Sequence, residues 1–156
     1  MEIIYNVATI KDIQILIDSR VEFLSEYWGQ QDLIVENNLK KELHHFFTKA
    51  LSDHSYISCI AWKNKKLIAI GGMKIINKPG SFRIPDGRCG YIMNMYTRPE
   101  FRKQGIASAI LEKLMDAGKN MGIRFFELHS TIEGESVYQK SGFQLHDEPT
   151  YRKIVQ

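Results

Sequence analysis

Met95-Tyr96-Thr97-Arg98-Pro99-Glu100-Phe101-Arg102-Lys103-Gln104-Gly105-Ile106-Ala107 runs from the end of a strand through a tight basic turn into a helix. The strand is predicted over Gly90–Thr97, rich in aromatic and bulky apolar residues, and Pro99 ends its ladder because it carries no backbone donor. The helix is predicted from near Gly105. There Ile106, Ile110 and Leu114, flanked by Ala107, Leu111 and Met115, form a broad apolar face. Arg102 and Lys103 place two cations where the first helical N–H groups have no partner, and such a helix start attracts anions. Gly105 and Ala107 lack the bulk that would hold a large anion away from the backbone. The implied chemistry is a pyrophosphate held by main chain and finished by Arg102 and Lys103. A glycine near a helix start more often only shapes a turn, so the pattern draws its meaning from the residues C-terminal to it.

Downstream, Arg124–Ser130 reads as a second buried strand, followed by a short helix over Glu133–Lys140 and then Ser141-Gly142-Phe143. In that setting Arg102-Lys103-Gln104-Gly105-Ile106-Ala107 resembles the acyl-CoA pyrophosphate loop of the GNAT superfamily, Arg/Gln-x-x-Gly-x-Gly/Ala. Leu128-His129-Ser130-Thr131, with Val137-Tyr138-Gln139-Lys140-Ser141-Gly142-Phe143, is similar to that superfamily's "Leu-Tyr-x-x-x-Gly-Phe" region. The two motifs stand in the family's order and separation and cover Gly90–Phe143. Over Met1–Pro85 the resemblance lies only in the order of elements.

The N-terminal half supplies that order. Glu2–Val7 is predicted as a strand. Thr9-Ile10-Lys11-Asp12 resembles a helix cap, after which Ile13, Leu16, Ile17, Arg20 and Leu24 run at helical spacing. A second amphipathic helix is predicted from about Asp32 to Ser52. Ser55–Trp62 and Lys66–Asn77 are predicted as a hairpin through Asn64, with a turn outside the favoured two-residue types. Lys78–Arg88 reads as a long loop and Phe143–Val155 as a final strand interrupted at Asp147-Glu148-Pro149. One domain over residues 1–156 is expected, in the order β-α-α-β-β-β-α-β-α-β. The resemblance implies an α/β (α+β) GNAT fold: a mixed, strongly twisted central sheet of about six to seven strands flanked by about four helices.

Bulk properties narrow the function classes. A net charge of +3 with dispersed basic residues does not make a nucleic-acid surface; the densest cluster, Lys63-Asn64-Lys65-Lys66, sits at a turn. No apolar run reaches transmembrane length and Met1–Val7 does not read as a signal peptide, so a cytoplasmic location is expected. Cys59 and Cys89 fall inside predicted strands and read as buried free thiols. No metal-ligand spacing occurs; His44 and His45 are neighbours on a helix and point in different directions.

The resemblance also implies roles. Acetyl-CoA is the expected cosubstrate, its pantetheine arm pairing like an extra strand with backbone at Met95, Tyr96 and Thr97, its pyrophosphate at Arg102, Lys103, Gln104, Gly105, Ile106 and Ala107. Main-chain N–H near Met95 or Tyr96 then faces the thioester carbonyl. Tyr138 stands at the family's acid position, where a neutral phenol protonates the departing thiolate. Many family members place a Glu on the strand corresponding to Gly90–Thr97, and this chain has none there. Glu127 and His129, two residues apart on the next strand, are the remaining base candidates, directly or through a water chain that also includes Tyr96. The acceptor site implied by the family draws on Arg20, Glu26, Tyr27 and Trp28, with Glu26 an anchor for a cationic amine and the aromatic pair a wall; the same residues read equally as a helix end packed on the sheet. His146, Asp147 and Glu148, in the loop before the last predicted strand, are implied for that site as well. A homodimer is expected for this fold, though no residue singles out its interface. The expected activity is transfer of an acetyl group to a primary amine of a small molecule or peptide. The alternative is a non-catalytic acyl-CoA-binding or sensor module, which the missing strand carboxylate favours and Tyr138 opposes.

Overall fold

A computed structural model describes residues 2–156. Five strands lie side by side in chain order: β1 (Ile4–Val7), β2 (Tyr56–Lys63), β3 (Lys66–Asn77), β4 (Arg88–Thr97) and β5 (Phe126–Leu128). Every neighbouring pair is antiparallel except β4 and β5, which are parallel and therefore need a crossover. Helix α3 (Ile106–Asn120) makes that crossover, and the remaining helices are α1 (Ile13–Trp28), α2 (Leu33–Ser52) and α4 (Glu135–Lys140). The result is the expected α+β fold with a mixed sheet and four flanking helices.

Each face of the sheet has its own core. On one side Ile106, Ile110, Leu111 and Leu114 of α3 pack on Ala61, Ile68, Met73 and Ile92. On the other, Leu16 and Ile17 of α1 and Phe47 and Ala50 of α2 pack on Tyr56, Ile60, Ile70 and Tyr96. Local sequence sets where the helices start. Thr9 and Asp12 form a reciprocal capping box ahead of α1, and the Asp32 carboxylate accepts from the Ile34 and Val35 amides to start α2. Both cysteines are buried and free.

Three elements depart from expectation. The strand predicted over Arg124–Ser130 contracts to Phe126–Leu128, because β4 bends away and leaves its later residues nothing to pair with. The segment predicted as a last strand, Phe143–Val155, forms no ladder, so the sheet has five strands rather than six or seven. Pro149 lacks a donor, and residues 144–156 are exposed along their whole length, with no strand of the described chain beside them. The β2–β3 hairpin does close with a two-residue turn. Asn64 and Lys65 both take positive φ (52° and 62°), the conformation that matches the twist of the flanking strands, with lysine standing where glycine is usual.

Candidate active site

The cleft begins with one residue too many in β4. Ile70 pairs with Tyr96 and Gly72 with Met93, so Asn94 and Met95 together oppose the single residue Gly71. Asn94 absorbs this bulge at a φ of 56°, a conformation its short polar side chain tolerates. Gly71 makes room for it: a Cβ there would lie 2.5 Å from both Ile110 Cγ2 and Met95 Sδ. Pairing between β4 and β5 ends at Ile92–Leu128, while β4 runs on to Thr97. The outer edge of Met93–Thr97 is therefore an unpaired strand edge lining a gap between two parallel strands.

Helix α3 starts at the mouth of that gap. Lys103 (φ 60°) and Gly105 (φ 76°) shape the turn, and a Cβ on Gly105 would meet nothing within 4 Å, so its surroundings are open. No side chain caps the helix, and the Ala109 amide makes the first bond, to Gly105 O. The amides before it have no intrahelical partner and no side-chain cap, a fit for an anion held by main chain. Ile106 is buried and offers only its backbone, while Lys103, Gln104 and Gly105 are exposed.

Arg102 points elsewhere. Its Nε donates to Thr97 O at 2.8 Å, its Nη2 to Glu26 Oε1 at 2.5 Å, and its guanidinium lies 5.8 Å from the centre of the Tyr96 ring. Burial works against the Glu26 carboxylate, but the hydrogen bond from Arg102, with the Tyr96 hydroxyl close by, outweighs it and holds the group below its usual range. One turn earlier on α1, Glu22 accepts from the Tyr96 hydroxyl and from Arg98 Nη2, both at 3.3 Å. Burial first, then Glu26 and Glu22, push the Tyr96 phenol well up, so it stays protonated and is a donor, not a base. The acid that β4 lacks in sequence thus reaches the strand from α1. Glu22 and Glu26 are four residues apart, on one helix face, which is the signal that identifies the pair. Arg20, on the same helix, has no carboxylate partner among the described residues; its guanidinium sits 5.8 Å from the Phe23 ring, in a crevice with Ser19, Tyr56 and Asn94.

The other candidates fall in two groups. Tyr138 of α4 packs edge-on against Phe143, and its hydroxyl makes no hydrogen bond among the described residues; burial raises its pKa. His129 has both ring nitrogens engaged, Nδ1 with the Tyr91 hydroxyl at 2.5 Å and Nε2 with Thr150 Oγ1 at 3.3 Å. Glu127 lies 3.7 Å from Lys78 Nζ and opposite Tyr91 across the ladder. The structure gathers Glu127 and His129 around Tyr91, a residue that in sequence reads as ordinary strand. Tyr27 stacks on Phe23 and meets Trp28 edge-on at 5.1 Å. Trp28 is largely exposed and lines a groove with Leu24, Val35 and Leu39.

Comparison with known proteins decides what this arrangement is. The acetyltransferase (GNAT) family model matches residues 15–143. The chain belongs to the GNAT acetyltransferase family. A predicted acetyltransferase with acetyl-CoA from Clostridium acetobutylicum is 32% identical, covers 97% of this chain and 96% of its own, and superposes with a TM-score of 0.89. A GCN5-related N-acetyltransferase from Ralstonia eutropha JMP134 (22% identity, coverage 97% and 99%, TM-score 0.84) shares the fold. So does glucosamine-6-phosphate N-acetyltransferase from Arabidopsis thaliana (18%, coverage 99% and 100%, TM-score 0.71). Among curated protein sequences no match is found. Within this GNAT domain, no helix of the described residues is long and apolar enough to cross a membrane.

Proposed function

We propose that this chain transfers the acetyl group of acetyl-CoA to a primary amine by direct attack through a tetrahedral intermediate, in the cytoplasm. One observation carries the reading: an unpaired strand edge, Met93–Thr97, and the uncapped start of α3 open on the same gap. The strand edge offers backbone hydrogen bonds to the pantetheine arm, and the α3 amides with Lys103 hold the pyrophosphate. Arg102 joins them by leaving Glu26, an exchange of one partly exposed ion pair for another that costs up to about 1 kcal/mol. A main-chain N–H at Met95 or Tyr96 stabilises the charge growing on the thioester oxygen. Tyr138, whose hydroxyl has no competing protein partner, gives its proton to the leaving thiolate. Removal of the amine's proton falls to a carboxylate, through water. Glu26, freed when Arg102 turns to the pyrophosphate, is better placed for this than His129, whose two nitrogens are occupied.

Arg20 supports a choice of acceptor. It is a half-buried cation without an acid, whereas Arg98 and Arg102 on the same face are matched by Glu22 and Glu26. A carboxylate or similar anion on the acceptor relieves it, so amines of the amino-acid kind fit this cleft better than polyamines or aminoglycosides. The test is thiol release from acetyl-CoA across amino acids, peptides, polyamines and aminoglycosides, with Arg20→Ala run in parallel. Release with an anionic amine, falling about 10- to 100-fold in kcat/KM in the variant, is the expected result. Release only with polycations overturns the acceptor assignment. Acetyl-CoA binding without release from any amine replaces the enzyme reading with an acyl-CoA-binding module.

A further inference from the structure

Two adjacent glycines of β3 stand at the β4 bulge, and each clears one face of the sheet. Gly71 admits Met95 and Ile110 on the α3 side. Gly72 faces the other way, and a Cβ there would overlap the Tyr56 hydroxyl, so that phenol rests directly on the Gly72 backbone. Tyr56 belongs to β2, with β3 between it and β4. Its ring crosses β3, and its hydroxyl accepts from Asn94 Nδ2 of β4 at 2.9 Å. Any side chain at position 72 would block this bridge from the first strand of the three to the last. Phe46 and Phe47 of α2 hold the ring from the other side, with centroids 5.8 and 5.4 Å away.

Asn94 is where such a bridge matters. It carries the positive φ of the bulge, and the peptide joining it to Met95 carries one of the N–H groups assigned to the thioester oxygen. A bulge interrupts the ladder, so its peptides lose the bonds that fix strand peptides in place. The Asn94 Oδ1 is buried with no partner among the described residues, which leaves the bond to Tyr56 as the side chain's one anchor. Ser58, two residues along β2 and on the same face as Tyr56, donates from Oγ to Gly71 O at 2.9 Å and fastens the residue opposite the bulge.

We propose that Tyr56 is a positioning residue for acetyl transfer: through Asn94 it holds the β4 bulge so that the Met95 N–H points at the thioester carbonyl of acetyl-CoA. The role rests on the direct-transfer reading of the cleft. Tyr56 touches none of the reacting atoms; it fixes the direction of one donor. An oxyanion donor works because its direction is set before the charge appears, and a misplacement of about 1 Å costs on the order of 10²-fold in rate.

Acetyl-CoA labelled with 13C at the thioester carbonyl reads that donor without any acceptor amine. Hydrogen bonding moves a carbonyl carbon downfield, so the wild-type complex should show the resonance displaced from its position in free acetyl-CoA. Tyr56→Phe removes only the hydroxyl. Asn94→Gly removes the carboxamide and adds no strain, because glycine takes a positive φ freely. Each should cut the displacement to about half or less, with acetyl-CoA affinity by calorimetry within about threefold of wild type. The two together should do no more than either alone, since they break one bond. An undiminished displacement in either variant, additive losses, or a variant that no longer binds acetyl-CoA overturns the positioning role and leaves the proposed reaction standing. A wild-type complex with an undisplaced carbonyl removes the main-chain donor from the proposed reaction, and the positioning role with it.

Discussion

At the scale of single residues, Tyr138 is distinguished by what its hydroxyl lacks. The phenol is half-buried and its hydroxyl has no protein partner among the described residues, while burial raises its pKa and keeps it an acid through neutral pH. Tyr138→Phe removes the proposed proton donor and little volume. It should lower kcat about 10²-fold with acetyl-CoA affinity unchanged, measured by steady-state thiol release beside calorimetric binding; equal losses in both would make the residue structural. The Arg102 position is legible in the sequence as a motif, but its partner is not. Two side chains that meet across 76 positions of sequence leave no local pattern, and only the fold brings Glu26 to Arg102. The same distance hides Tyr91, whose relation to His129 spans 38 positions.

At the scale of elements, the β4 bulge sets the cleft, and Gly71 permits the bulge. A methyl group at that position meets the Ile110 and Met95 side chains at 2.5 Å, so Gly71→Ala must displace those side chains or the elements that carry them. The expected cost is about 1–3 kcal/mol in urea unfolding, together with weaker acetyl-CoA binding; an unchanged affinity would mean the bulge does not shape the gap. The helices are readable because their signals are local: Asp32 caps α2 with its own carboxylate, and the apolar spacing of α3 matches the face it buries. The end of β5 is not, because its length depends on where β4 turns away. Phe143–Val155 reads as a strand from its apolar residues, but Pro149 interrupts it and the segment forms no ladder with the described sheet. The Asn64-Lys65 turn escapes a reading by residue type, which is a weak guide where the flanking ladder dictates the conformation.

At the scale of the whole molecule, the two helical layers clamp a sheet whose centre holds polar groups near the site. Tyr56 is one, with its hydroxyl buried at the base of α1 and accepting from Asn94 Nδ2 at 2.9 Å. Burial pushes its pKa up to about 12, against the opposing effects of the Asn94 bond and the Arg20 charge. The unfolded chain ionises near 10 and the folded one only near 12, so the folded state holds the proton longer. Stability is then full below pH 10 and falls as pH rises through that window, by about 1.4 kcal/mol for each unit once the unfolded phenol has ionised. Urea unfolding across this range should show the decline, and Tyr56→Phe should make it shallower; parallel slopes would contradict it. The central claim is that acetyl-CoA lies between β4 and β5 with its pyrophosphate on the start of α3. Amide chemical shifts of the 15N-labelled protein, followed while coenzyme A is added, test it most directly. The account predicts the largest shifts at Met93–Thr97 and Gly105–Ser108, with a smaller group at Glu26 as Arg102 changes partner. Saturating shifts confined to other surfaces, or none at millimolar coenzyme, would contradict it.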